Sequence, residues 1–144
     1  MGKFSDAVRE FTVTASKNSD VVFRNSVDEL YKEVIRTKLH GGNLPHDTGN
    51  LGRSVAISKH AMPRVDTEAL EYDTQDNSPV VFSIEAGDTV YIGVQANYGP
   101  RRNFGFVGTD SMGRNYNEAG DHFIEKAADK WPQIVKAQEA RFAK

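Results

Sequence analysis

The residues best suited by type and spacing to do chemistry are Asp47, Thr48 and Gly49, because Asp-Thr-Gly is the signature triplet of aspartic proteases. Such an enzyme needs two of these loops, and their adjacent carboxylates share one proton because both cannot stay charged. The Asp must also emerge from an apolar strand. Here it follows residues 41–46, where two glycines and a proline are typical of a chain break. We therefore interpret Asp47 as a turn residue, with an Asp47-dependent protease as an alternative.

A structural turn accounts for more residues of this stretch than catalysis does. The Asp47 carboxylate can bond to the backbone of a turn, and the Thr48 hydroxyl can accept from free N–H groups at its start. Gly49 permits tight backbone geometry. Leu51 would point into the core, and the alternation over residues 54–58 then predicts a strand. The predicted structural turn comprises Asp47, Thr48, Gly49 and Leu51.

No other pattern in the chain predicts catalysis or metal binding. The sequence has no cysteine, no His-Glu-x-x-His pair and no Gly-x-Ser-x-Gly elbow. Residues 59–78 are rich in acids, but this stretch has no glycine and no regular oxygen spacing of a calcium loop. We expect it to be a solvated excursion. We expect no enzyme activity, no catalytic residue, no cofactor and no metal.

The segment 97–117 interleaves aromatic side chains with arginines and glycines. Such a loop could stack on single-stranded bases, which makes a nucleic-acid-binding module that uses Arg101 and Arg102 a second alternative. It could also order against a neighbouring subunit, since aromatic and Arg side chains are favoured in interface cores. We favour the interface, because four aromatic side chains are poorly accommodated in water. The predicted assembly interface comprises Tyr98, Arg101, Arg102, Phe104, Phe106, Arg114 and Tyr116.

Hydrophobic periodicity predicts a helix at each end of the chain. Apolar residues three and four apart indicate a helix from Phe4 to Leu39, with a possible break over residues 12–20. A last helix should run from Glu118 or Asp121 to Phe142, and Pro132 should either kink it or begin a second helix.

Between these helices, two apolar runs predict a β-hairpin over residues 80–86 and 89–94, with Gly87-Asp88 as the turn. The strand near Val55 would pair with it, because two strands alone are marginal in water. The expected fold is therefore α+β. A small antiparallel sheet of three to four strands would be packed by a long N-terminal helix and a C-terminal helix.

Composition agrees with one domain covering residues 1–144, since a chain of 144 residues is an ordinary length for one. The net charge of −2 gives no overall positive field for nucleic acid. No apolar run approaches the roughly 20 residues that cross a bilayer, so we expect no membrane contact.

The motifs resemble, in order, those of bacteriophage tail-completion and head–tail joining (neck) proteins of the minor tail protein Z type. The pattern Leu-Pro-x-Asp-Thr-Gly-x-Leu-x-x-Ser at residues 44–54 follows a long helix. A hairpin comes next, then Asn97-Tyr98-Gly99, and then a Phe-plus-Ala helix start at residues 120–127. The chain departs from the family pattern after Tyr98, where a Glu-x-Gly-Thr or Glu-x-Gly-Ser run is expected.

This resemblance implies a structural virion protein that acts through surfaces. It would be a monomer in the host cytoplasm and would join a homo-oligomeric ring at the neck or tail of the virion. Its partners would be other phage head–tail connector and tail proteins. Nucleic acid would be contacted only as DNA passes the lumen. The segments 97–117 and 59–78 would be mobile loops that order against neighbours.

Overall fold

The computed structural model describes residues 2–46 and 49–142. The helices are α1 (Gly2–Ile35), α2 (Asn50–Arg53), α3 (Ser78–Phe82), α4 (Gly99–Phe104), α5 (Phe123–Ala128) and α6 (Trp131–Phe142), with a 3-10 turn at Lys38–His40. The strands are β1 (Val55–Ser58), β2 (Tyr91–Val94), β3 (Gly105–Thr109) and β4 (Asn115–Ala119).

The fold is α+β with helices at both ends, which confirms the predicted class. Its four strands form two separate antiparallel pairs, β1 with β2 and β3 with β4, where the sequence predicted one sheet. The pair β1–β2 lies against α1 in the body of the protein. The pair β3–β4 is a hairpin within the segment that the sequence predicted to be a loop.

The first helix is more regular than the sequence predicted, and it ends at Ile35 instead of the predicted Leu39. Its backbone stays helical from Gly2 to Ile35, so the break predicted over residues 12–20 is wrong. The helix ends at Ile35, and the chain reverses through the 3-10 turn and Gly41, whose φ is 85°. A bond of 3.1 Å from the Leu44 N–H to the Arg36 carbonyl closes this reversal and satisfies one helix-end carbonyl.

The first half of the predicted hairpin is not a strand. Residues 78–82 form α3, because Pro79 in the first turn suits a helix start and its fixed φ is helical. Short apolar runs do not distinguish a strand from a buried helix by pattern alone. Val80 and Val81 still pack against the core residues Ile57 and Ile84. Only the second half became a strand, β2, which pairs with β1 from Val55↔Val94 to Ser58↔Tyr91.

The core lies between α1, the β1–β2 pair and α5. Val27 and Val34 of α1 are buried, and Val55 and Ile57 of β1 are buried on alternate positions as a half-covered strand requires. Other buried apolar residues are Leu44, Leu51, Ile84, Ala96, Phe123 and Ala127.

The C-terminal helix is two helices. Pro132 occupies the second position of α6, where its missing N–H breaks no helical bond. Of the two predictions for Pro132, a kink or the start of a second helix, the second is confirmed. The predicted start at Glu118 or Asp121 is wrong, because Glu118 belongs to β4 and α5 begins at Phe123. The Lys130 ammonium pairs with the Glu33 carboxylate and so ties the junction of α5 and α6 to α1.

The acidic segment 59–78 has little regular structure before α3, but hydrogen bonds attach it to Gln95 and Arg53. The Asp66 N–H donates to the Gln95 carbonyl at 2.8 Å, and the Tyr72 hydroxyl donates to the same oxygen at 2.9 Å. The Arg53 Nε donates to the Tyr72 carbonyl at 2.7 Å. The expectation of a solvated excursion agrees with most of the segment, whose residues are largely exposed, but not with Tyr72, which packs against the core.

Candidate assembly interface

The segment 97–117 is an ordered helix and hairpin. Pro100 lies in the first turn of α4, and the chain then turns at Gly105, whose φ is 85°. A Cβ at Gly105 would lie 2.3 Å from the Glu118 carbonyl oxygen, so only glycine fits this close approach. β3 and β4 then pair from Gly105↔Ala119 to Thr109↔Asn115. The predicted loop is therefore regular secondary structure, and its ordering against a neighbour stays a prediction.

The inner face of this hairpin, formed by Phe106, Gly108, Tyr116 and Glu118, holds a cluster of predicted interface residues. The Arg101 guanidinium lies over the Phe106 ring at 4.4 Å and over the Tyr116 ring at 4.8 Å. Its Nε donates to the Glu118 carboxylate at 2.8 Å. These contacts stabilise the hairpin itself, so Arg101, Phe106 and Tyr116 are occupied within the chain.

The hairpin tip is organised by Asp110, a residue that the sequence analysis missed. Its carboxylate accepts the backbone N–H groups of Met112 and Arg114 at 2.9 Å each, and the Arg114 Nε at 2.5 Å. The backbone bond from Arg114 is the largest cause that lowers the pKa of Asp110, and the Arg114 side chain and the Met112 N–H also lower it. The sequence signal that could have indicated this turn is Asp110 followed three residues later by Gly113, a spacing found in many turns.

The arginines of the segment face carboxylates of the same chain. Arg101 pairs with Glu118, and Arg114 pairs with Asp110. The Arg102 guanidinium lies 3.7 Å from the Asp121 carboxylate, which also pairs with Lys38. This pairing leaves little uncompensated positive charge for phosphates, so the geometry does not favour the nucleic-acid alternative.

The outer face of the hairpin, formed by Val107, Thr109, Asn115, Asn117 and Ala119, is exposed along its length. Val107 is 78% exposed, and Met112 at the tip is 76% exposed. Phe104, at the end of α4, is 67% exposed. Of these three apolar residues only Phe104 was predicted from the sequence, because the alternation of β3 was not recognised.

Tyr98 is held by Asn50, the first residue of α2. Its hydroxyl accepts a bond of 3.0 Å from the Asn50 side chain, whose Nδ2 also donates to the Leu70 carbonyl at 3.2 Å. The Asn50 Oδ1 accepts the Tyr72 N–H at 2.7 Å. Asn50 is buried and ties α2, the segment 59–78 and the start of α4 together. Asn50 was not predicted from the sequence, since a turn asparagine carries no sign of long-range bonds.

Two of the four predicted turn residues can be placed. Gly49 has a φ of 81°, which favours glycine, and Leu51 is buried in the core. Asp47 and Thr48 lie outside the described residues. The described chain before them, Leu44 to His46, has no strand beyond one bridge between Leu44 and Thr37.

Among the described residues, no cluster of three His, Asp or Glu side chains could hold a metal ion. None of the described helices has the length and apolar character to cross a membrane. Comparisons with models of protein families, with curated proteins and with solved structures find no match to this chain.

Proposed function

We propose that this chain is a structural virion protein of a tailed bacteriophage. It acts in head–tail joining or tail completion by assembling into a ring at the neck. The proposal is supported by the sequence motifs at residues 44–54, 97–99 and 120–127. The hairpin that the resemblance places between them is instead helix α3 followed by strand β2. The structural observation that carries it is the hairpin, which presents an outer face of exposed, uncharged residues to the surroundings.

The exposed apolar residues favour a protein partner over a small substrate. Phe104, Val107 and Met112 of this segment are each more than 60% exposed, as are Leu39, Leu70 and Phe82 elsewhere in the chain. Interface cores are depleted in charge, and the outer face of the hairpin is uncharged. An isolated two-stranded hairpin is marginally stable, so docking against a neighbour would stabilise it as well as bury these side chains.

The mechanism we propose is assembly by preformed surfaces. The monomer is made in the host cytoplasm and joins connector and tail proteins at the neck. The hairpin adds contacts only when neighbours are arranged around it, and DNA is touched only as it passes the lumen. No cofactor takes part.

The direct test is a phage that lacks this gene. We expect electron micrographs of the lysate to show filled heads and separate tails, or tails with faulty ends. Supplying the wild-type chain from a plasmid should restore joined virions. Normal virions in its absence would exclude the proposed role.

An Asp47→Asn variant separates assembly from catalysis. If Asp47 is a turn residue, the variant should restore joined virions whenever its stability is close to that of the wild type. A protease would instead show peptidase activity with an acid optimum in the purified wild-type chain and lose it in Asp47→Asn. Such activity would favour the alternative.

A further inference from the structure

One edge of the β1–β2 pair is open. The Gln95 N–H donates to the Ser54 carbonyl at 3.0 Å, which fixes the phase of the antiparallel ladder. Because hydrogen-bonded and non-bonded pairs alternate, the N–H and C=O groups of Ile92 and Val94 must point away from β1. Neither residue has another backbone partner in the part of the chain that the structure describes.

An apolar groove follows this open edge of β2. It consists of two adjoining cavities of about 310 Å³ and about 300 Å³, and Ile92 and Ile124 line both. The first lies between α1, β2 and the start of α6, where Trp131 forms one wall. The second lies between β2 and α4, and Met62 and Phe104 are among its lining residues.

The chemistry of the groove selects an uncharged, extended segment. None of the described residues that line the two cavities carries a charge. A strand edge with free N–H and C=O groups binds another strand by main-chain bonds, while the walls accept alternate side chains. A phosphate or a charged peptide would find no partner for its charge here.

Strand β3 has the matching properties. The Asp110 N–H donates to the Arg114 carbonyl at 3.0 Å, so in this ladder the backbone groups of Val107 and Thr109 point outward. Neither has a backbone partner among the described residues. Residues 105–109 carry no charge, whereas β4 contains Glu118. β3 thus offers an uncharged free edge of about the length of β2.

We propose that β3 of one copy of the chain adds to the open edge of β2 in a second copy, with Val107 directed at the apolar groove. The proposal rests on the ring proposed above and names its subunit contact. The two surfaces are different patches of the same chain, so the contact is head-to-tail. Contacts of this type close into a ring when the rotation between copies allows it.

The size of the contact agrees with a monomer that assembles only at its destination. β2 offers a strand edge of four residues. Stable interfaces bury about 800 Å² on each partner, and a single short strand buries less. Pairwise association should therefore be weak, and closure of the ring, in which every copy makes two contacts, should supply the missing stability.

Cross-linking between single-cysteine variants tests the contact in the full-length chain, which has no native cysteine. Met62→Cys places a thiol on the groove and Val107→Cys places one on the hairpin. With a short bismaleimide, the mixture of the two should give severalfold more dimer than a mixture of Phe82→Cys with Val107→Cys. Phe82 is 75% exposed on α3 and does not line the groove. Equal yields in the two mixtures would overturn the proposal.

A matched pair of proline variants provides the second test. Val107 and Asn117 are directly paired in the hairpin, and the N–H of each points outward on opposite edges. Proline at either site removes no hydrogen bond between β3 and β4. Only Val107→Pro removes a hydrogen-bond donor of the proposed contact between β3 and β2 of the second copy. Sedimentation at increasing concentration should show association weakened about tenfold by Val107→Pro and little changed by Asn117→Pro. Equal effects of the two variants would contradict the assignment of β3.

These results are independent of the test of function. A neck defect in the deletion phage without the Met62–Val107 cross-link would support the joining role and exclude this contact. The specific cross-link together with normal virions in the deletion phage would support the contact and exclude the joining role.

Discussion

The turn at residues 49–54 and the hairpin at residues 105–119 are both short segments built around left-handed glycines, yet they are held in opposite ways. In the turn, Asn50, Leu51 and Ser54 are buried. In the hairpin, every described residue is half-buried or exposed. The turn is fixed by burial among distant elements, so its residues determine the fold. The hairpin is fixed by its own contacts, which leaves its outer face available to a partner.

The difference has an energetic consequence. The ion pairs of the hairpin lie at the surface, where such pairs contribute about 0–1 kcal/mol each. Two strands with few buried side chains add little more. The hairpin should therefore open locally at a free energy well below that of global unfolding.

The largest expected effect is in the core. Phe123 is 1% exposed, and Phe123→Ala should lower the free energy of unfolding by about 4 kcal/mol because it leaves a cavity. Phe104→Ala is the matched change at the exposed site and should alter it by no more than about 0.5 kcal/mol. Urea denaturation of both variants measures the contrast. Similar losses in the two would show that Phe104 is part of the core.

The next effect is at the turn. Asn50→Ala removes the acceptor of the Tyr72 N–H and the donor to the Leu70 carbonyl and the Tyr98 hydroxyl. We expect a loss of about 1–2 kcal/mol, since these partly buried backbone groups lose their protein partner. Urea denaturation should show it, with hydrogen exchange locating the loss in residues 70–72. A loss below about 0.5 kcal/mol would mean that water replaces the side chain.

How much could be predicted from the sequence depends on how local the signal is. The terminal helices were predictable because their apolar residues recur every three or four positions. The α+β class followed from these helices and from the alternation near Val55. The prediction of a strand over residues 80–86 was wrong because Pro79 lies in the first turn of a helix there. A short apolar run is compatible with either structure.

The unusual composition of the candidate interface could be recognised from residue types, but the direction of its side chains could not. Arg101, Phe106 and Tyr116 were identified as an unusual group, but their mutual packing depends on a register between strands ten residues apart. Val107 and Met112 carry the exposed surface and were missed for the same reason. The bonds of Asn50 to residues 20 and 48 positions away leave no local pattern at all.

A smaller effect should distinguish the base of the hairpin from its tip. At Gly105, an added Cβ meets backbone at 2.3 Å, so Gly105→Ala should destabilise the hairpin by about 2 kcal/mol or more. Gly113 has a φ of 78°, and a Cβ added there would meet no neighbouring atom within 4 Å. Gly113→Ala should therefore cost only about 1 kcal/mol, which comes from backbone strain. Hydrogen exchange of the β3 and β4 amides measures both. Equal effects would show that the close approach at the base is relieved elsewhere.

The smallest effect should appear at acid pH and only in the hairpin tip. The pKa of Asp110 lies below its ordinary value of 3.8, chiefly because the Arg114 N–H bonds to the charged carboxylate. A lowered pKa means that the charged form stabilises the tip above pH 3.8, and that this contribution is lost as the pH falls through the lowered value. Amide chemical shifts of Met112 and Arg114 should follow that titration, and Asp110→Asn should abolish it. Asp88→Asn is the control, because Asp88 also has a lowered pKa but bonds to Glu85 and Lys59 in the body of the protein. If Asp88→Asn also removed the transition at the tip, the hairpin would be coupled to the body of the protein. That result would contradict the claim that the hairpin is held by its own contacts.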